Sequence, residues 1–203
     1  MSLSHLILGF LTSYLGFAAP SMLNITASKI YLENNIKIAR QYIVGVSFMV
    51  FFQVLIAIEI FKVINKHPQL ISQIEKIATI VFAVLSIVFI RKGMLSKKQN
   101  KSKSIHNGFL FGLSLSFVNM FAVPFFTIAC SYLVMNGWKM TSNTQTSLFI
   151  AGTVLGVFTI LNNYVFLAKK VKSKLLLYTK YFNFLIGIIT GVMAVYTAVK
   201  VYF

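Results

Sequence analysis

The chain has almost no acid: Asp and Glu together number 3, against 19 Lys and Arg and a formal net charge of +16. It has one cysteine, Cys130, one Trp and three prolines. Without a second cysteine there is no disulfide framework and no CxxC pair, which argues against electron transfer by thiol exchange. Cys130 lies in an apolar stretch and reads as a small buried side chain. No HxxxH or other metal-ligand spacing and no phosphate-binding glycine loop occurs. No nucleophile–base pair can be drawn, so the residues argue against an embedded enzyme, and no cofactor or metal is expected.

What the chain has in abundance is apolar sequence. Of its 203 residues 58% are hydrophobic and the mean hydropathy is +0.82, too little polar material to cover a soluble domain of this size. Apolar runs of about 18 residues or more read as membrane helices. Six runs emerge, over about Leu3–Lys29, Gln41–Phe61, Ile74–Ile90, Phe109–Met135, Ser147–Ala168 and Tyr181–Val201. The expected fold is an all-α integral membrane protein with six transmembrane helices. "MSLSHLILGF" opens with no Lys or Arg before its apolar run, so the first run is expected to be a retained helix and not a cleaved signal.

A charge of +16 on a soluble chain would suggest nucleic acid. Here the basic residues fall between apolar runs, where they set topology and meet anionic lipid headgroups, and no nucleic-acid partner is expected. Loop one carries Lys29, Lys37 and Arg40. Loop three carries Arg91, Lys92, Lys97, Lys98, Lys101 and Lys103, and loop five Lys169, Lys170, Lys172, Lys174 and Lys180. Only Lys62, Lys66, Lys76, Lys139 and Lys200 lie on the other side. The positive-inside rule then puts loops one, three and five in the cytoplasm and both termini outside.

Loop three, at 93–107, also divides the chain into residues 1–92 and 108–203, within a single polytopic domain. Three runs in each part would make the second part enter the membrane in the opposite sense, as an inverted repeat. Two of the three prolines support it. "FAAP" at Phe17–Pro20 and "FAVP" at Phe121–Pro124 sit in the two longest runs. "VGVSFMVF" from Val44 resembles "AGTVLGVF" from Ala151, pairing Gly45 with Gly152. On this reading the prolines mark equivalent positions and bend or break helices one and four, where a proline costs a helix a hydrogen bond.

Polar residues gather near these prolines. Asn24 lies one turn beyond Pro20, and Asn119 lies five residues before Pro124. An amide within the bilayer faces protein or a water-filled cavity. Pro20, Asn24, Asn119 and Pro124 are therefore the expected solute contacts, with Gln53 and Asn163 beside them; interhelical bonding is the plain alternative for each amide. Glu59 is read as an acid inside a predicted span. Lys62 follows at ion-pair spacing, so Glu59 is either an interfacial pair or a coupling carboxylate. Gly108/Gly112, Gly152/Gly156 and Gly187/Gly191 permit close helix contact, within one subunit or in a homodimer.

These residues resemble the lysine and threonine exporter family (LysE/RhtB-type), small bacterial exporters of amino acids with six hydrophobic segments. "SYLGFAAPSMLNITASKIYLENNIKIA" is similar to the end of that family's first segment, with Pro20 at its proline. Gly45 matches a glycine common in the next helix. "GLSLSFVNM" from Gly112 puts Asn119 on the asparagine of the family's Asn-Pro-Lys. Ser21 stands where the family has glycine, Met120 and Phe121 replace Pro-Lys, and no aspartate lies near Gly156 and Val157. The resemblance implies a bacterial inner-membrane exporter of an amino acid or similar small metabolite, working by alternating access. A non-transporting scaffold or accessory subunit is the alternative.

Overall fold

The computed structural model describes residues 2–67, 70–94, 105–119, 121–138, 140 and 142–202. Among them the secondary structure is helical, with no strand. Seven helices follow in order: α1 (Ser2–Gly16), α2 (Met22–Glu33), α3 (Ile36–Lys66), α4 (Leu70–Met94), α5 (Gly108–Val118), α6 (Ala122–Met135) and α7 (Asn143–Tyr202). Much of basic loop three lies outside the described residues.

Two helical stretches, Ile36–Lys66 and Asn143–Ala168, are long and apolar enough to cross a membrane, and a third is obtained if α5 and α6, bent by 66° to each other, count as one span. The first run divides into α1 and α2, of 15 and 12 residues, each short of the ~20 a span requires. The fifth and sixth runs are not separated by a loop: α7 is one helix of 60 residues. The physical reason is local. Between Gly156 and Gly187 there is neither Gly nor Pro, and the Lys-rich segment consists largely of good helix formers. Charge alone does not end a helix.

The helices form two compact units. The first holds Met1–Lys62 and Ser102–Val171, the second Val63–Lys101 and Lys172–Phe203. In the second, α4 and the C-terminal part of α7 run antiparallel. A side chain at Gly187 would meet Ile90, one at Gly93 would meet the Phe184 ring, and Ser86 Oγ donates to Gly187 O at 2.8 Å.

The first unit is built on two close parallel crossings. A Cβ at Gly9 of α1 would strike Phe149 O of α7, and one at Gly152 would strike Leu6 O. Further along, Gly156 faces Phe10 and Ser13, and Asn163 Nδ2 donates to Tyr14 Oη at 3.0 Å. Rising numbers on α1 meet rising numbers on α7, so these helices point the same way. The pair α5 and α3 repeats this. A Cβ at Gly112 would strike Tyr42 O and one at Gly45 Phe109 O, while Gly108 faces Ile38. The two crossings match atom for atom: each glycine faces the carbonyl three residues before its partner glycine. Backbones approach this closely only where no Cβ intervenes.

Between and around these pairs lies a core of Leu23, Ile30, Tyr42, Val50, Phe126, Phe149 and Leu161, among others. Leu3, Ile7, Leu11 and Leu15, at every fourth position of α1, stay exposed, Leu3 and Leu15 at 67% each. Phe166 and Met135 are more than four-fifths exposed. Such a surface would be a large apolar patch in water; hydrocarbon solvates it. Composition, helix length and surface together define a helical membrane-associated protein.

Local caps fix where the helices begin. Asn35 Oδ1 accepts from Ile38 N at 2.9 Å and Asn107 Oδ1 from Leu110 N at 3.1 Å. At the start of α7, Ser142 Oγ accepts from Gln145 N while Gln145 Oε1 accepts from Ser142 N, a capping box. α6 is stopped by Gly137, two residues past Met135, with φ of +87°. Trp138 N donates to Leu133 O and Gly137 N to Val134 O, the bond pair of a left-handed glycine cap.

Candidate functional site: two helix breaks and a cleft

Both proline-bearing runs are broken, but the two prolines do not hold equivalent places. Pro20 lies in the link 17–21, ahead of Ser21, the N-cap of α2. Pro124 is the third residue of α6 and is exposed. In a first helical turn the N–H that proline lacks has no intrahelical acceptor in any case, so it is well tolerated there. Counted from the helix starts, the position matching Pro124 is Asn24, third in α2. The expectation from the matching tetrapeptides is corrected accordingly, whereas the pairing of Gly45 with Gly152 coincides with the repeated crossing.

A break frees carbonyls, and buried carbonyls need donors. At the first link the chain supplies its own. Asn24, fully buried, donates through Nδ2 to Phe17 O at 2.6 Å and Ala19 O at 2.8 Å. Tyr164 Oη donates to Ala18 O at 2.7 Å. At the second, Gln53 Nε2 donates to Ser116 O at 2.9 Å and Asn119 O at 3.3 Å. Thus Gln53 and Asn119 are brought together through a side-chain-to-backbone bond, and Asn24 acts on its own link. In this arrangement the freed carbonyls serve as acceptors for protein side chains.

The amide oxygens are another matter. Asn24 Oδ1, Gln53 Oε1 and the hydroxyls of Ser47 and Ser116 are buried without a hydrogen-bond partner. Each such group costs about 1–3 kcal/mol, and native structures retain few of them.

The other expected residues lie apart. Asn163 ties α7 to Tyr14, and Asn162 Nδ2 bonds Phe158 O of its own helix at 2.8 Å. Glu59 is exposed and paired with Lys62 at 2.7 Å, with side chains 68% and 45% accessible. Its surroundings are those of a surface ion pair, a weak interaction. The three Gly-xxx-Gly motifs all make contacts within the chain.

One side of the first unit carries a cleft of about 560 Å³ between α2 and α5, its lining including Thr26, Lys29, Glu33, His106, Asn107 and Ser114. None of these was among the expected site residues. Lys29 reads from sequence as a topology charge. The overlooked signal is Glu33, since an acid is costly to spare in a chain with three. Elsewhere in the unit, α1 and α6 with the residues just beyond their ends meet through aromatic packing. A Cβ at Gly16 would strike the Phe125 ring. Phe17 stacks on Phe126 at 6.3 Å, and His5 meets Trp138 edge-on at 6.2 Å. Among the described residues no group of His, Cys, Asp and Glu is placed to hold a metal.

Compared with protein-family models, curated proteins and solved structures, the chain matches none. The exporter resemblance therefore rests on the motifs themselves.

Proposed function

We propose that the protein is a membrane transporter, an exporter of an amino acid or similar small metabolite. Its two inverted repeats each give a broken run and a long helix to the first unit and one helix to the second. α1–α2–α3 corresponds to α5–α6 with the start of α7, and α4 to the end of α7. The observation that carries the reading is the repeated parallel crossing, Gly9/Gly152 and Gly112/Gly45, each leading to a helix break. Paired broken helices in oppositely directed repeats are the frame on which many transporters alternate access. The buried, unpartnered oxygens of Asn24 and Gln53 add polar groups beside the breaks.

Metabolite profiling of the medium around overexpressing and deletion cells tests this. Overexpression should enrich one small polar solute and deletion should retain it inside; an unchanged medium in both refutes export. A scaffold or accessory subunit is the second reading. It is favoured by the capping of the freed carbonyls by Asn24, Tyr164 and Gln53, and an unchanged medium would leave it standing.

A further inference from the structure

We propose that the cleft between α2 and α5 is the solute site open in this structure, and that Lys29 and Glu33 make it take small solutes carrying a positive and a negative group together. This rests on the transporter reading and moves the first binding event from the helix breaks to the cleft.

The walls support it. Lys29 Nζ and Glu33 Oε1 stand 3.8 Å apart on α2, with side chains 31% and 35% accessible. They are half-covered, within reach of each other, and each retains capacity for another partner. A solute bearing only an anionic group would gain from Lys29 and be repelled by Glu33; one bearing only a cationic group meets the reverse. A dipolar solute satisfies both and leaves neither charge unpaired. Thr26 lies one turn N-terminal to Lys29 and Ile30, so its hydroxyl continues the same face. Across the cleft, Asn107 is occupied as the cap of α5, and Ser114 presents a second hydroxyl. Phe111, packed with Tyr42 at 5.9 Å, adds an apolar wall. The volume is that of a small-molecule site. The cleft opens between α2 and α5. By the distribution of basic loops that mouth faces the cytoplasm.

Ser114→Cys in the full-length protein tests the site; wild type, whose Cys130 is fully buried, is the control for background. A membrane-impermeant maleimide should label the variant in inside-out vesicles and spare it in right-side-out ones. Saturating serine should slow labelling about tenfold, as near-complete occupancy requires, while lactate and putrescine change it by less than about twofold. Lys29→Gln or Glu33→Gln should abolish protection by serine, and the exchanged pair Lys29→Glu with Glu33→Lys should restore it. No protection by serine, equal protection by all three probes, or indifference to both single variants overturns the proposal. So does labelling that rises when anionic lipid is stripped and falls when phosphatidylglycerol is returned, which would make the cleft a lipid site. Because occupancy is read without transport, an unchanged medium would refute export while leaving the cleft result to stand.

Discussion

Gly152→Ala is the sharpest probe of the repeated crossing, because two opposed effects act on it. Within a helix, alanine is favoured over glycine by about 1 kcal/mol. Against that, the new Cβ would strike Leu6 O and lie 2.9 Å from Phe10 N, both backbone atoms of α1. Backbone cannot rotate away as a side-chain tip can, so α1 and α7 must separate. Overpacking of this kind costs about 1–3 kcal/mol. The clash outweighs the gain in helix propensity, and a net loss of about 1 kcal/mol is expected. Reversible unfolding of the purified protein in mixed micelles, with SDS as denaturant, measures it. Gly9→Ala faces Phe149 O, with Thr153 N at 3.0 Å, and should cost a similar amount. The Gly9→Ala/Gly152→Ala double variant should lose less than the sum, since a single separation relieves both clashes. Gly45→Ala with Gly112→Ala should behave alike, and Gly9→Ala with Gly112→Ala should be additive, as the two crossings share no residue. If Gly152→Ala stabilises the protein, or if all pairs are equally additive, the close crossing is wrong.

Asn24→Leu should destabilise by about 2–3 kcal/mol in the same assay, because one buried and one partly buried carbonyl lose their donor; a change within error would show that the link is satisfied otherwise. Gln53→Leu should have a smaller effect of the same sign, since its bond to Asn119 O is long at 3.3 Å. Pro124→Ala should lie within about 0.5 kcal/mol of wild type, as for an exposed first-turn position, and a large loss would restore it as a structural breaker. An alkaline phosphatase fusion after Lys174 should be inactive. Activity at Lys174 would contradict the cytoplasmic assignment of the basic middle of α7.

The apolar runs were legible because hydrocarbon imposes a length and composition that sequence records directly. Their ends were less so. The run from Leu3 divides because residues 17–21 leave the helix and Asn24 and Tyr164 accommodate the freed carbonyls, and Tyr164 is distant in the chain. No local rule marks that partnership. The basic segment after Ala168 misled for the opposite reason: a charge run reads as a loop, yet lysines propagate a helix well. The two Phe-Ala-x-Pro tetrapeptides fall in the two interrupted runs, but Pro20 lies in a link before α2 and Pro124 in the first turn of α6. Gly45 and Gly152 hold matching places in the two crossings, since a backbone crossing constrains position more tightly than a proline at a helix start.

By itself the sequence determined that this chain belongs with a membrane and that it is helical. Those properties follow from solvent, propensity and local sterics, which act residue by residue. Only the tertiary structure decided which glycines face which backbones and that Asn24 and Gln53 serve the breaks. It alone placed Lys29 and Glu33 of α2 across a cleft from His106 and Ser114. Such contacts join residues tens of positions apart, and their energy exists only once the helices are packed.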